Sequence, residues 1–189
     1  MIDLDRLYEE KNVFHFFAEH LSYPEEFNFY NKEEVSLPPS HPGYPHIKKY
    51  WNIMREKSLD EIQTLYTETF DFQKDATLFM TYVKYEDSKE RGQMLARLKV
   101  LYEMFGLMMP KGELSDLLPL MCEFIYAAEW KGDPRAQQSF SLLLAVLEDG
   151  SYHLMNALKK YKSPYYYLIR GMREAFKVCI IHEEAQAND

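Results

Sequence analysis

Apolar positions along the chain recur at spacings of three and four residues. Leu59, Ile62, Leu65, Tyr66, Thr69 and Phe70 share one helical face, as do Leu117, Leu120, Met121, Phe124, Ile125 and Ala128, and later Leu143, Leu144, Leu147 and Leu154. No stretch sustains the period-two alternation, bounded by turn dipeptides, that a half-buried strand needs. The pattern predicts helices over residues 5–22, 46–57, 59–71, 75–84, 89–105, 114–130, 134–149, 151–161 and 164–185. The expected fold is all-α: a single-domain helical bundle spanning residues 1–189.

Local signals mark the ends of these segments. Ser58-Leu59-Asp60-Glu61 reads as a capping box, with the Ser58 hydroxyl on exposed amides and Glu61 reaching back. Asp133-Pro134 and Ser163-Pro164 each set a capping residue before a proline. Gly106, Gly132 and Gly150 are expected at helix ends, where a residue often needs positive φ. Pro24 is expected to stop the first helix, because the residue before a proline is pushed out of the α region. One segment breaks the helical pattern: residues 37–45 hold four prolines in nine positions, which forbids helix and favours an extended loop. Such a loop is either a recognition arm or a surface connector.

Composition narrows the function. The formal net charge of −8 argues against a nucleic-acid surface, which needs clustered cations; it suits a basic partner peptide or, as is commoner, serves only solubility. The acidic start Met1-Ile2-Asp3-Leu4-Asp5 lacks the features of a signal peptide, and the aliphatic run from Leu142 to Leu147 is too short to span a bilayer, so a cytoplasmic protein without direct membrane insertion is expected. Cys122 and Cys179 form no CxxC pair and lie in apolar runs, as buried free thiols do. The six histidines show no i, i+3 or i+4 pairing, so no metal site is expected. No phosphate-binding glycine motif or nucleophile elbow occurs, so neither a cofactor nor an enzymatic activity is expected. Fifteen tyrosines, twelve phenylalanines and ten methionines exceed ordinary usage. Runs such as Phe14-His15-Phe16-Phe17 make a helix apolar on more than one face, which must pack on both sides or bind something.

Three stretches are more specific. Tyr66-Thr67-Glu68-Thr69-Phe70-Asp71 resembles a Y-x-E-x-F-D motif. Tyr85-Glu86-Asp87-Ser88-Lys89-Glu90-Arg91-Gly92-Gln93-Met94 resembles an E-S-R-x-R-G-Q-A-M segment that opens a helix. Glu113-Leu114-Ser115-Asp116-Leu117-Leu118-Pro119-Leu120, followed by Glu123-Phe124, resembles E-L-P-D-H-L-P-L-x-L-E-F. In this order and spacing they resemble the NarJ branch of the TorD-like redox-enzyme maturation chaperones, also called the nitrate reductase delta subunit family. The resemblance departs at Ser115 and Leu117, where the family has proline and histidine, so no role resting on that histidine carries over.

The resemblance implies a system-specific chaperone that binds the catalytic (molybdenum) alpha subunit of respiratory nitrate reductase in the cytosol, through its N-terminal segment. It supports molybdenum-cofactor insertion and delays membrane docking. The alternatives are another molybdoenzyme as client, or an adaptor subunit that stays in a complex. The residues expected to bind the client peptide are Tyr66, Phe70, Tyr85, Arg91, Asp116 and Glu123. Truncating Tyr66 or Phe70 is expected to weaken binding more than stability. Structural roles are also expected: Asp71 and Asp116 capping helices, Arg91 pairing with Glu68 or Glu123, Gly92 allowing close helix contact, and Pro119 in the first turn of its helix.

Overall fold

A computed structural model describes residues 2–26, 35 and 37–180. Among them are nine helices and no strands: α1 Leu4–Glu10, α2 Asn12–Leu21, α3 Tyr44–Met54, α4 Leu59–Phe70, α5 Tyr82–Tyr85, α6 Lys89–Met104, α7 Leu118–Ala127, α8 Ala136–Lys160 and α9 Tyr165–Lys177. The fold is all-α, as the apolar spacing predicts. Two isolated antiparallel bridges, Ile2 with Ile180 and Phe79 with Leu117, add the only β-type pairing among these residues.

Several expected ends hold because their local chemistry is present. Ser58 and Glu61 form the full capping box of α4. The Ser88 hydroxyl accepts the Arg91 amide at 3.2 Å and opens α6. Pro119 lies in the first turn of α7, where its missing N–H costs nothing. Gly106 follows α6 at φ +86°, a conformation that glycine adopts without steric cost.

The structure departs from the periodicity at one local joint and at several long-range contacts. The expected first helix is two, α1 and α2, joined at Lys11 by tighter i→i+3 bonds, Lys11 N to Tyr8 O and Phe14 N to Lys11 O. The helix expected over 75–84 shrinks to α5, and the one expected from 114 starts at Leu118, because Met80 N donates to Asp116 O and Leu118 N to Leu78 O around the Phe79–Leu117 bridge. The two segments expected on either side of Gly150 are one helix, α8. Gly150 is there for packing: a Cβ on it would lie 2.5 Å from the Met80 carbonyl oxygen. Helix α9 ends at Lys177, and Asp3 N donates to Cys179 O at 2.8 Å beside the Ile2–Ile180 bridge. The remainder of that expected helix, 181–185, lies outside the described residues.

The core centres on α7 and α9. Leu118, Met121, Cys122, Phe124 and Ile125 of α7, with Tyr165, Leu168, Ile169, Met172 and Ala175 of α9, are essentially inaccessible. Each such large side chain contributes about 1.5–3 kcal/mol of burial. Helix α2 packs on α7, α3 on α9, and α9 on α8. Cys122 and Cys179 are both buried and free. Burial pushes both thiols above the ordinary cysteine value, which keeps them unreactive. The proline-rich loop is tied down where it is described: His41 is buried, its Nδ1 accepts the Gly43 amide at 3.0 Å, and its Nε2 lies 3.6 Å from the Glu10 carboxylate on α1.

Candidate functional site: an acidic groove between two packed helices

Helices α2 and α7 pack together and leave a surface groove of about 410 Å³ beside the loop that leads into α7. Ala18, Glu19 and Ser22 line it from α2 and its C-terminal end, Pro119, Leu120 and Glu123 from α7, and Pro110, Glu113 and Leu117 from the loop. The spacing on each helix sets this arrangement. Ala18 and Ser22, and likewise Pro119 and Glu123, stand four apart and so share a face. Ala18 is small and buried, which lets the two helices approach closely.

The groove combines an apolar floor with three carboxylates, Glu19, Glu113 and Glu123. His15 sits at one edge, with Nε2 3.5 Å from Glu19 Oε1 and Nδ1 3.5 Å from Glu123 Oε2, and its ring stacks on Tyr126 at 4.5 Å. Ser22 donates back to the Ala18 carbonyl at 2.7 Å. Such a surface accepts an apolar ridge flanked by Lys or Arg, the pattern of an amphipathic helix laid in a groove. A second groove of about 390 Å³, between α6 and α8, has similar size but Arg97 as its single charged lining residue. Among the described residues, no group of three or more His, Cys, Asp or Glu is arranged to hold a metal ion, and no helix is long and apolar enough to cross a membrane.

The six residues singled out in the sequence do not meet at one surface. Glu123 lines the acidic groove with a side chain 42% exposed. Tyr85 is half-buried on α5, its ring 5.5 Å from Lys84 Nζ, and lines no part of that groove. Tyr66 and Phe70 are buried and line no part of the groove. The Tyr66 hydroxyl donates to the Leu21 carbonyl at 3.0 Å, and its ring meets Phe70 and Tyr23 edge to face. Burial, and next the Asp71 and Glu113 carboxylates, push the Tyr66 phenol well above the ordinary tyrosine range.

Arg91 and Asp116 are also buried. The Arg91 guanidinium lies 3.3 Å from Asp116 Oδ2, not against Glu68 or Glu123. Asp116 does not cap α7, which begins after Leu117 without a side-chain cap. Asp71 closes the C-terminal end of α4 and caps no helix start. Gly92 faces open space and makes no close helix contact.

Sequence reasoning missed Ala18, Glu19 and Ser22, the α2 side of the groove. The signal was a run over residues 13–21 that is apolar nearly all round, interrupted only by Glu19 and the two histidines. Residues 39–168, more than half of the chain, match the family described as "Nitrate reductase delta subunit". The chain belongs to this family.

Over 121 residues the chain is 33% identical to the Bacillus subtilis (strain 168) "Probable nitrate reductase molybdenum cofactor assembly chaperone NarJ", covering 64% of this chain and 62% of that protein. It is also 25% identical over 152 residues to the "Nitrate reductase-like protein NarX" of Mycobacterium tuberculosis (strain H37Rv), covering 80% of this chain but 22% of that protein. The matched stretch is thus less than two thirds of the length of either relative. The motifs at Tyr66, Arg91 and Asp116 lie within the stretch matched to the family.

Proposed function

We propose that this chain is a cytoplasmic, non-enzymatic chaperone, a single helical domain without a cofactor of its own. It binds the catalytic molybdenum subunit of a respiratory nitrate reductase, supports insertion of the molybdenum cofactor and delays docking to the membrane. The observation that carries this reading is the groove between α2 and α7, with three glutamates around an apolar floor, in a chain of this family. Its occupant is the N-terminal segment of the catalytic subunit, folded as an amphipathic helix. Apolar anchors at i, i+3 and i+4 rest on Ala18, Leu117 and Leu120, and flanking Lys or Arg meets Glu19, Glu113 and Glu123. The charges speed encounter and set orientation more than they add affinity. Occupying that segment blocks premature docking, and folding of the client withdraws it, so release needs no nucleotide.

Isothermal titration with a peptide from the N-terminus of the catalytic subunit of the same organism tests this, with a scrambled peptide as control. Dissociation constants in the micromolar range or below, about −8 kcal/mol or better, are expected. Failure of both the peptide and the whole apo-subunit to bind would sink the assignment. A second reading, an adaptor that stays in a complex, draws on the match to 22% of a longer protein. Stoichiometric recovery in purified mature reductase would favour it.

A further inference from the structure

The wall of the groove that carries Glu113 and Leu117 belongs to a loop whose deep anchors lie at its inner end. The Ser115 hydroxyl donates to Leu95 O at 2.7 Å, and the Ser115 carbonyl accepts the Tyr102 hydroxyl at 2.6 Å. Next to it, Asp116 is wholly inaccessible. Its Oδ2 accepts from the Thr81 amide at 3.1 Å, the Thr81 hydroxyl at 2.5 Å and the Arg91 guanidinium at 3.3 Å. Thr81 is the centre of this knot, because its hydroxyl also accepts Arg91 Nε at 3.0 Å. Arg91 is aimed inward from the first turn of α6, close to the Tyr82 ring and to Asp87.

This arrangement is poorly explained by stability. Burying an ion pair costs desolvation that its attraction repays only when every polar atom finds a partner. Asp116 Oδ1 has no hydrogen-bonding partner among the described residues. A well-packed apolar trio would hold the same elements at lower cost. What the knot supplies is direction: three charge-assisted bonds on one oxygen fix the backbone at Asp116. One residue further on, Leu117 forms part of the groove.

We infer that Thr81, Arg91 and Asp116 are positioning residues, which hold the Glu113–Leu117 wall in register with Glu19 and Glu123 without themselves touching the client. The inference rests on the proposed reading of the groove as the client site. It also explains how two buried residues of the motif stretches can serve binding.

The test is made on the full chain with Thr81→Val, which keeps the shape and removes the hydroxyl, Thr81→Ser, which restores it, and Arg91→Lys, which keeps charge but loses the fork. Amide hydrogen exchange reads the wall directly. In Thr81→Val and Arg91→Lys, exchange over residues 113–118 is expected to speed up about tenfold or more, while α4 and α9 hold wild-type protection. Affinity for the N-terminal client peptide, measured well below the melting temperature, should fall about tenfold or more in the same two variants and return in Thr81→Ser. Unchanged exchange at the wall overturns the inference. So does a loosened wall with wild-type peptide affinity. A wild-type protein that binds no client peptide refutes the reading of the groove instead, and the exchange data then judge the positioning role by themselves. If Thr81→Val does not fold, Arg91→Lys carries the same two readouts.

Discussion

Two regions of this chain, each holding residues of the motif stretches, obey different physics. Tyr66, Phe70, Tyr50 and Tyr165 are buried and pack edge to face or tilted at ring separations of 4.8–6.2 Å. In the groove, Glu19, Glu113 and Glu123 flank the apolar Leu117 and Leu120. The Tyr66 hydroxyl links the two regions by donating to the carbonyl of Leu21, the residue before groove-lining Ser22. The aromatic region contributes stability through buried area and ring packing. The carboxylates contribute almost nothing to stability, because exposed charges are well solvated. On the reading proposed above, the buried aromatic residues hold the shape of the groove and the exposed carboxylates meet the client.

The strongest test of this division is Phe70→Ala. Its ring is buried against Tyr66 and Tyr165, so truncation is expected to cost about 3–5 kcal/mol in urea denaturation. This reverses the expectation from the motif alone, which put the larger effect on client binding. A variant with wild-type stability and lost binding would break the comparison.

The groove should show the opposite pattern. The triple change Glu19→Gln, Glu113→Gln and Glu123→Gln keeps the shape and removes the charge. It is expected to leave the urea midpoint nearly unchanged and to weaken a cationic client peptide about tenfold, or about 1.4 kcal/mol. The loss should shrink at high salt, where exposed pairs are screened. A large fall in stability would show that these carboxylates are structural.

The sequence made the helices legible and the contacts between distant segments illegible. Three-and-four spacing located α4, α7 and the middle of α8, and the capping box at Ser58 fixed the start of α4. Helix periodicity carries no information about the bridge between Phe79 and Leu117, so two helices were expected to run through it. Gly150 read as a terminator for the same reason, because the backbone at Met80 that demands a glycine there is remote in sequence. Of the six residues expected to bind the client, Glu123 alone lines the groove, and Ala18, Glu19 and Ser22 enter only through the packing of α2 on α7. Arg91 shows the limit of reading charge. Its need for a carboxylate was evident, but the partner is Asp116, not Glu68 or Glu123, and only the fold decides that.

The smallest effect lies in the cap that starts α4, the helix that carries the aromatic region. Ser58 Oγ accepts the Glu61 amide, and the Glu61 carboxylate accepts the Ser58 amide at 2.7 Å. Ser58→Ala should cost about 1 kcal/mol at neutral pH. The bond from the Ser58 amide holds the Glu61 carboxyl below its ordinary value. A carboxyl with a depressed folded-state value stabilises fully above its unfolded value and loses that contribution as pH falls through the folded one. The cap should therefore weaken as pH drops below about 4.3, the ordinary glutamate value. Glu61→Gln keeps a side-chain acceptor for the Ser58 amide and removes the titration, so it should lose less stability than the wild type between about pH 5 and about pH 3. Melting curves of the two proteins across that interval decide it: parallel losses would mean that the cap is open in solution and that α4 is held by its buried aromatic face alone.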